Sequence, residues 1–403
     1  MIAADKPVQR SAESKLLHVD AAGRIRSVPR AALIELLHPG DVVIANDAAT
    51  LPASLRGVHV QTGMEIEVRL AARESLDAHD VVRFHAVVFG PGDYRTRTED
   101  RALPPPLERG QMLRLGSLTA VVEELLGHPR LIALRFEHSA ADVWAGLARH
   151  GRPIQYAHMQ QALQLWDMWT PIAAQPVAYE PPSAGFALDW QVLAAFRSKG
   201  IVFATITHAA GISSTGDAEL DRLLPFDEPY RIPVATEQAL RRACREDRRA
   251  IAIGTTVVRA LEHSAARRGA VVAGDGIANQ RVGAQTRLRV VDAILSGTHE
   301  PGTSHYDLLH AFAGESVLRR ADRALDAGGY RTHEFGDSVL IERGSEKYSS
   351  EVRRCGAEAI FAANARAGRG ARSPYTSRFF RAADVVQEPG HLSSAGRLVG
   401  CTC

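Results

Sequence analysis

The densest set of reactive side chains lies in GTHEPGTSHYDLL, residues 297–309. His299 and His305 can exchange protons near neutral pH, because an imidazole ring titrates there. Ser304 or Thr303 can cap the helix that the following apolar run predicts. These residue types in one loop indicate proton transfer at a helix entrance, although a polar loop with an ordinary cap would also explain them.

A second candidate site is GTTVVRALE, residues 254–262, which predicts a tight strand-to-helix turn. Free amides and the positive end of the helix dipole make such a turn suitable for a carboxylate or another anion. Thr255 or Thr256 is the predicted N-cap, and Arg259 lies one turn further along, where it could reach a ligand. Plain helix capping is the alternative. The Gly-Lys-Ser/Thr signature of a phosphate loop is missing.

Three more polar segments stand at or beyond predicted strands. Asn46 and Asp47 end the strand DVVIAN, although an Asx turn toward Pro52 would explain them too. His208 begins a hydroxyl-rich loop, although a lone histidine there is more often structural. Gly185 in PPSAGF predicts a loop that passes close to another part of the chain, with a φ free to be positive. Because α/β folds bind ligands at strand ends, we expect all five segments to meet at one pocket.

Hydrophobic patterning predicts two kinds of structure to position these segments. Short strands separated by turn signals such as GPGD predict a β-barrel-like domain at 56–150. Alternating strands, loops and helices predict an α/β domain over 151–344, which residues 1–55 would complete. The predicted fold class is therefore mixed α/β, with a smaller β-barrel-like domain inserted into a larger α/β domain.

Individual elements follow from local patterns. The helix after PPSAGF should end at Lys199 before Gly200, QQALQLWDMW at 160–169 has a helical pattern, and TRLRVVDAIL at 286–295 predicts a strand. A C-terminal extension, 345–403, is rich in glycine, serine and arginine and is expected to be partly disordered. Five earlier strands are predicted at 41–46, 64–72, 81–89, 111–116 and 131–137.

Composition excludes several classes of protein. The 403 residues are 45% hydrophobic and 23% charged, as in ordinary globular proteins, and no run approaches the roughly 20 apolar residues of a membrane span. The N-terminal segment lacks the apolar core of a secretory signal, so we expect a cytoplasmic protein without a membrane partner. A net charge of +2 argues against a globally basic nucleic-acid binder. Cys401 and Cys403 have no second pair at zinc spacing, so no metal site is expected.

Taken in order, these segments resemble the S-adenosylmethionine:tRNA ribosyltransferase-isomerase family of queuosine biosynthesis. IAIGTTVVRALE is nearly the family motif as it stands, and PPSAGF is similar to its Pro-Thr-Ala-Gly-Leu-His loop. RVVDAILSGTHEPGTSHYDLL resembles its Val-Val-Asp…Asn-Phe-His-Leu-Pro-Lys-Ser-Thr stretch. The likeness covers about 8–343 and implies an α/β domain that carries an inserted β-barrel domain.

The resemblance implies an enzyme that transfers and isomerises the ribosyl moiety of S-adenosylmethionine onto 7-aminomethyl-7-deazaguanine in tRNA, releasing adenine and methionine. S-adenosylmethionine is then a substrate, and no tightly bound cofactor is expected. The reaction needs a base at the ribose C5′ and a proton donor for adenine. We name His299 as the base and His208 as the donor, with Asp47 or Glu228 orienting a histidine or the ribose. Substrate contacts are expected from Asn46, Gly185, Tyr230, Thr255, Thr256, Arg259 and Ser304.

Several positions depart from the family pattern. Ala49 and Ser54 stand where the family has arginine. Ala187, Leu223 and Phe226 stand where it has histidine, and Gly302 where it has lysine. Because each phosphate contact adds salt-dependent affinity for nucleic acid, the loss of cations predicts weakened tRNA binding. Two alternatives therefore stay open: an enzyme of the same fold with a small-molecule acceptor, and a non-catalytic nucleoside- or RNA-binding protein. A monomer is expected.

Overall fold

A nine-stranded sheet and a closed six-stranded barrel dominate the computed structural model, which describes residues 1–7 and 14–344. The strands are β1 Ile2–Ala3, β2 Lys15–Val19, β3 Ile25–Pro29, β4 Val42–Asn46, β5 Ala48–Thr50, β6 Ser54–His59, β7 Glu65–Ala72, β8 Arg83–Phe89, β9 Met112–Leu115, β10 Leu118–His128, β11 Leu131–Phe136, β12 Gln175–Ala178, β13 Val202–His208, β14 Glu228–Ile232, β15 Ala250–Ile253, β16 Gly274–Ala278, β17 Ala293–Gly297, β18 Arg331–Thr332 and β19 Ser338–Glu342. The α-helices are α1 Leu33–Leu36, α2 Ala140–His150, α3 Trp190–Lys199, α4 Ala218–Asp221, α5 Val234–Arg245, α6 Thr255–Arg268, α7 Ser304–Leu309 and α8 Glu315–Ala327.

Four parallel strands, in the order β13-β4-β15-β17, form the centre of the nine-stranded sheet. Every residue of β4 and β15 is buried, as expected for parallel strands that are covered on both faces. Because the four strands run in the same direction, their carboxyl ends lie at one edge. The segments that begin after Asn46, His208, Ile253 and Gly297 therefore start side by side.

The flanking strands of the sheet come from both ends of the chain. On one side β14 and then β16 add antiparallel to β13. On the other side β19 pairs antiparallel with β17, and β2 pairs parallel with β19. Leu16 lies opposite Ser338 in that register. The sheet therefore joins an early strand of the chain to the last described strand.

The barrel has the strand order β10-β11-β8-β7-β6-β9, and every neighbouring pair is antiparallel. Its apolar interior continues into residues outside the barrel, because Tyr179, Ile212 and Phe226 belong to the same buried cluster as Leu55 and Val88. The mixed α/β class with a barrel is confirmed. The predicted domain limits of 56–150 for the insertion stay a prediction.

Some elements lie elsewhere than the local sequence patterns predicted. The predicted helix at 160–169 was wrong: only Leu165–Met168 form a 3₁₀ turn, because Leu163 and Met168 turn inward to pack against Phe186. The predicted strand at 286–295 begins only at Ala293. Strands β6 and β10 were not predicted at all. The expected disorder of 345–403 concerns residues outside those that the structure describes.

The helices cover the two faces of the sheet. Helix α6 packs most deeply, with Val257, Val258 and Leu261 in the same apolar cluster as Ile44 of β4. Within the two described ranges, no helix is both long enough and apolar enough to cross a membrane.

A buried ionic cluster lies on the outer face of the barrel strands β6 and β7, opposite the side of Ile66, Val68 and Leu70. Glu67 accepts hydrogen bonds from Arg69 Nε at 2.8 Å, from Arg101 at 2.5 Å and from Ser54 Oγ at 2.9 Å. Burial alone would raise the pKa of Glu67, but the two guanidinium groups outweigh it and lower that pKa. Glu67 is therefore ionised at neutral pH and compensates two buried cations.

We expect Glu67→Ala to lower the free energy of unfolding by about 3–5 kcal/mol, because it leaves both guanidinium groups buried without their carboxylate. Urea denaturation at pH 7 measures this. Glu65→Ala, at an exposed position of the same strand, is the control and should change stability by no more than about 0.5 kcal/mol. Equal effects of the two substitutions would contradict the prediction.

Candidate active site

A cleft of about 990 Å³ opens at the carboxyl edge of the four parallel strands. The loops after β13, β15 and β17 line it, together with residues 97–99 from the barrel. This volume is at the upper end for a small-molecule site. The cleft is therefore large enough for a nucleoside-sized ligand with part of a second reactant.

The start of α6 forms one wall of the cleft. Strand β15 ends at Ile253, and Gly254 then takes a φ of +93°, which a residue with a side chain rarely adopts. The predicted N-cap was wrong, because Gly254 holds the cap position and no side chain caps the helix. Thr255 and Thr256, the first residues of α6, line the cleft. Amides without a side-chain cap, at the positive end of a 14-residue helix, suit a carboxylate.

Glu228 is the electrostatic centre of the neighbouring wall. Its carboxylate accepts hydrogen bonds from His208 Nε2 at 2.8 Å and from the Gly211 amide at 2.7 Å, and it forms an ion pair with Arg259. Burial alone would raise the pKa of Glu228, but Arg259 and His208 lower it to about 2. Glu228 is therefore a carboxylate throughout the neutral range, and it joins β13, β14 and α6.

His208 lies behind the cleft wall. Its side chain is fully buried, and Nδ1 contacts the carbonyl oxygen of Thr256 at 2.8 Å, while Nε2 contacts Glu228. Asn46 holds the His208 backbone by accepting from its N–H and donating to its carbonyl, both at 2.9 Å. Since both ring nitrogens face oxygen acceptors, the ring serves to hold Glu228 and does not line the cleft.

His299, unlike His208, lies on the cleft. The hydroxyl of Ser296 is 2.8 Å from His299 Nε2, and the ring stacks on His305 with 4.9 Å between centroids. Burial, followed by repulsion from His305 and His333, lowers the pKa of His299 well below 6.5. The ring is therefore neutral at neutral pH, with Nδ1 as the nitrogen that Ser296 leaves available.

Of the residues predicted from sequence, Glu228, Thr255, Thr256, Arg259, His299 and Ser304 line the cleft. Arg259 is buried, and its guanidinium donates to Glu228 and to the carbonyl of Ala278 at 2.8 Å, so it is not free to extend toward a ligand. The cap of α7 is Thr303, whose hydroxyl accepts from the Tyr306 amide.

The other predicted residues support the wall from behind. Asp47 accepts a hydrogen bond from the Thr207 hydroxyl at 2.7 Å, and the Tyr230 hydroxyl contacts His263 Nδ1 at 2.9 Å. Gly185 does not have the positive φ that the sequence suggested. Its missing Cβ matters for packing, because a Cβ there would lie 3.0 Å from the Thr170 side chain.

Sequence reasoning missed a second polar group on the cleft. It consists of Tyr156, His158, Glu180, His333 and Glu334, which also line the cleft. These residues are brought together from segments far apart in the chain. The one local signal is the position of Glu180 directly before the Pro-Pro loop.

His158, His333 and Glu334 carry possible metal-ligating atoms within 4.8 Å of one another. The two imidazole rings, however, stack with 4.1 Å between centroids and 11° between planes. An imidazole binds a metal in its own ring plane, at about 2.1 Å, so two rings stacked face to face cannot both reach one ion. As placed, the group is held by the 3.3 Å contact of His158 Nε2 with Glu334, and we assign it no metal.

The charged groups on the cleft are predominantly acidic. Among the described lining residues the carboxyl groups belong to Glu99, Glu180, Glu228, Glu300, Asp307 and Glu334, and the guanidinium groups to Arg97, Arg259 and Arg281, with no lysine. This surplus of carboxylates favours a ligand with positive charge.

An acidic cleft at the ends of parallel strands, with a neutral histidine and a helix N-terminus on its walls, defines an enzyme-type site of the α/β class. Residues 1–341 match the family model described as queuosine biosynthesis protein. This chain belongs to that family.

Curated relatives agree with the family model. Proteins named S-adenosylmethionine:tRNA ribosyltransferase-isomerase include one from Geobacter sulfurreducens, 29% identical over 85% of this chain and 96% of the relative. The Sorangium cellulosum protein is 32% identical over 84% and 94%, and the Thermus thermophilus protein 31% identical over 79% and 87%. A solved S-adenosylmethionine tRNA ribosyltransferase from Thermotoga maritima covers 84% of this chain and 96% of its own at 22% identity, with a TM-score of 0.46.

We expect the His299 ring to remain neutral between pH 6 and 8. We also expect His305→Phe to raise the pKa of His299, because the repulsion from His305 disappears. Imidazole NMR signals, assigned with His299→Gln, measure both effects. A His299 ring that titrates near 6.5 in the unsubstituted protein would contradict the assignment.

Proposed function

We propose that this chain is an S-adenosylmethionine:tRNA ribosyltransferase-isomerase, which moves the ribosyl moiety of S-adenosylmethionine onto 7-aminomethyl-7-deazaguanine in tRNA and releases adenine and methionine. The observation that carries the proposal is that one cleft is lined by the N-terminus of α6 at Thr255, by the Glu228 carboxylate and by His299. Relatives with this activity in their names align along 79–85% of the chain. The proposal includes a cytoplasmic location, a monomer and no tightly bound cofactor.

The walls of the cleft match the chemical groups of S-adenosylmethionine. Its carboxylate suits the amides that begin α6 beside Thr255 and Thr256, where the helix dipole is positive. Its ammonium and sulfonium cations suit the surplus of carboxylates on the cleft. Arg259 contributes indirectly, because its ion pair with Glu228 keeps that carboxylate ionised in a buried position.

His299 is the base in this proposal. The adjacent sulfonium acidifies the C5′ protons of the ribose, so a neutral imidazole can remove one of them. The lowered pKa of His299 keeps the ring in its neutral form at neutral pH. Ser296 orients the ring through Nε2, which leaves Nδ1 to accept the proton.

His208 becomes a positioning residue. It has no place on the cleft surface, and both of its ring nitrogens are engaged by Thr256 and Glu228. We therefore assign it to the support of Glu228, which lines the cleft, and not to proton donation. Asp47 has a comparable supporting role through Thr207.

A second candidate function is the same chemistry with a small-molecule acceptor. The surplus of carboxylates on the cleft favours it, because carboxylates repel the phosphates of a nucleic acid. A compact acceptor with an amine would carry the opposite charge. The two candidates differ in the acceptor and agree on the ribosyl donor.

The proposed function predicts adenine release from S-adenosylmethionine when purified protein is mixed with tRNA that carries the 7-aminomethyl-7-deazaguanine base. Chromatography detects adenine, and tRNA without the deazaguanine base is the control. Adenine formed equally well without any tRNA would favour the small-molecule candidate. Binding of S-adenosylmethionine with no adenine under any condition would contradict both enzymatic functions.

We expect His299→Ala to lower kcat for adenine release by about 10²- to 10⁴-fold, the usual contribution of a general base. The matched control is His310→Ala, since His310 also lines the cleft but pairs with Glu315 at 3.5 Å. Circular dichroism and a thermal melt should show that both variants are folded. Near-normal turnover of His299→Ala would remove His299 from the mechanism.

A further inference from the structure

Glu180 is a carboxyl group on the cleft that the mechanism above leaves unused. It follows β12, is 8% exposed and lines the cleft. Its Oε2 accepts the amide hydrogen of Ser213 at 3.0 Å, and its Oε1 is in hydrogen-bond contact with the Tyr156 hydroxyl. No ion pair joins it to any residue in the described ranges. Glu180 thus differs from Glu228, which has a guanidinium group beside it.

The hydrogen bonds around the Tyr156 hydroxyl can accommodate one additional proton on Glu180. The Tyr156 hydroxyl oxygen lies within hydrogen-bond distance of two acceptors, Glu180 Oε1 and the Ser214 carbonyl oxygen at 3.2 Å. A phenol has one hydrogen to donate. If Tyr156 donates to Ser214, a proton on Glu180 Oε1 can be donated to the Tyr156 oxygen, and all three groups are satisfied.

We propose that Glu180 holds this proton as a carboxylic acid and donates it to the purine that departs from the ribosyl donor in the cleft. This inference rests on the proposed function and assigns the donor role that His208 does not fill. It gives the cleft an acid as well as a base.

The surroundings of Glu180 favour the protonated form. Burial raises the pKa of Glu180 to about 7, the hydrogen bond from Tyr156 opposes this shift, and the charge of Glu334 adds to it. His158 contacts Glu334, and the Arg69 guanidinium lies 5.7 Å from the centre of the Tyr156 ring. Burial also raises the pKa of Tyr156 well above 10.0, so that side chain remains a phenol.

The proposed step balances in protons and electrons. The base removes the C5′ proton, and the electron pair of that C–H bond forms a C4′=C5′ double bond as the C4′–O4′ bond breaks. The electron pair of O4′ then forms a double bond to C1′. The bond between C1′ and the purine nitrogen breaks, and its electron pair leaves with the purine. The Glu180 hydroxyl turns from the Tyr156 oxygen to the purine, and its O–H bond breaks: the proton goes to a purine nitrogen and the electron pair stays on the carboxylate. Solvent in the open cleft returns a proton to Glu180 after adenine leaves.

Glu180→Gln tests the role without removing the hydrogen bonds. A glutamine amide can donate to the Tyr156 oxygen and accept from the Ser213 amide, as the carboxylic acid does, but it cannot release a proton. We expect kcat for adenine release to fall by about 10²- to 10⁴-fold, with KM for S-adenosylmethionine within about twofold of the original. In the unsubstituted enzyme kcat should decline as pH rises through about 7, because the acid form is lost, and the variant should lack this decline.

The control is Glu74→Gln, the same substitution at an exposed glutamate that does not line the cleft. It should keep both kcat and the decline above pH 7. If Glu180→Gln instead raises KM for the acceptor or the donor and keeps kcat and its pH dependence, Glu180 binds a cation and the proposal is wrong.

A readout that needs no turnover separates this proposal from the proposed function. Infrared difference spectra of the ligand-free protein, labelled with ¹³C-glutamate, should contain a protonated-carboxyl band that disappears as pH rises through about 7 and is missing from Glu180→Gln. A protein that shows this band but releases no adenine would contradict the proposed function alone. Absence of the band at pH 6 would contradict the proposal that Glu180 is protonated, whether or not the protein releases adenine.

Discussion

The buried carboxylate of Glu228 is the interaction on which the cleft wall depends. It takes hydrogen bonds from a strand end and from a loop amide, and it compensates the guanidinium group of α6. An uncompensated charge at such a depth would cost several kcal/mol, so each partner requires the others. His208, Arg259 and Gly211 therefore hold three separate elements in a single arrangement, and the loops that line the cleft start from that arrangement.

Two carboxyl groups of the same cleft have opposite electrostatic surroundings. Glu228 has a cation beside it, and its pKa is lowered to about 2, whereas burial and the nearby charge of Glu334 raise the pKa of Glu180 to about 7. His299, between other histidines, is kept neutral. Environment therefore makes one carboxyl group a permanent charge and the other a proton holder, and it keeps the imidazole of His299 as a proton acceptor. Such separation of pKa values within one cleft is typical of catalytic sites.

Sequence patterns predicted the parts of this arrangement that are local. The buried strand at 41–46 and the helix after Gly254 follow from apolar runs and a glycine turn, and the rule that strand ends form one edge brought His299 and Thr255 to the same place. The patterns could not show that the His208 ring turns into the core, since a polar residue at a strand end carries no sign of its direction. They also missed the contact of Tyr156 with Glu180, because segments without regular periodicity are brought together there by tertiary packing.

The pairing of β2 with β19 has a consequence for how the chain acquires its fold. The barrel strands are contiguous, from Ser54 to Phe136, so they can pair while the rest of the chain is still being synthesised. The sheet cannot be completed at that stage, because Leu16 pairs with Ser338, which is synthesised more than three hundred residues later. Non-local pairing of this kind slows folding, since a long loop must close before any contact is gained. The barrel can therefore form early in synthesis, whereas β2 gains its partner in the sheet only after Ser338 has been made.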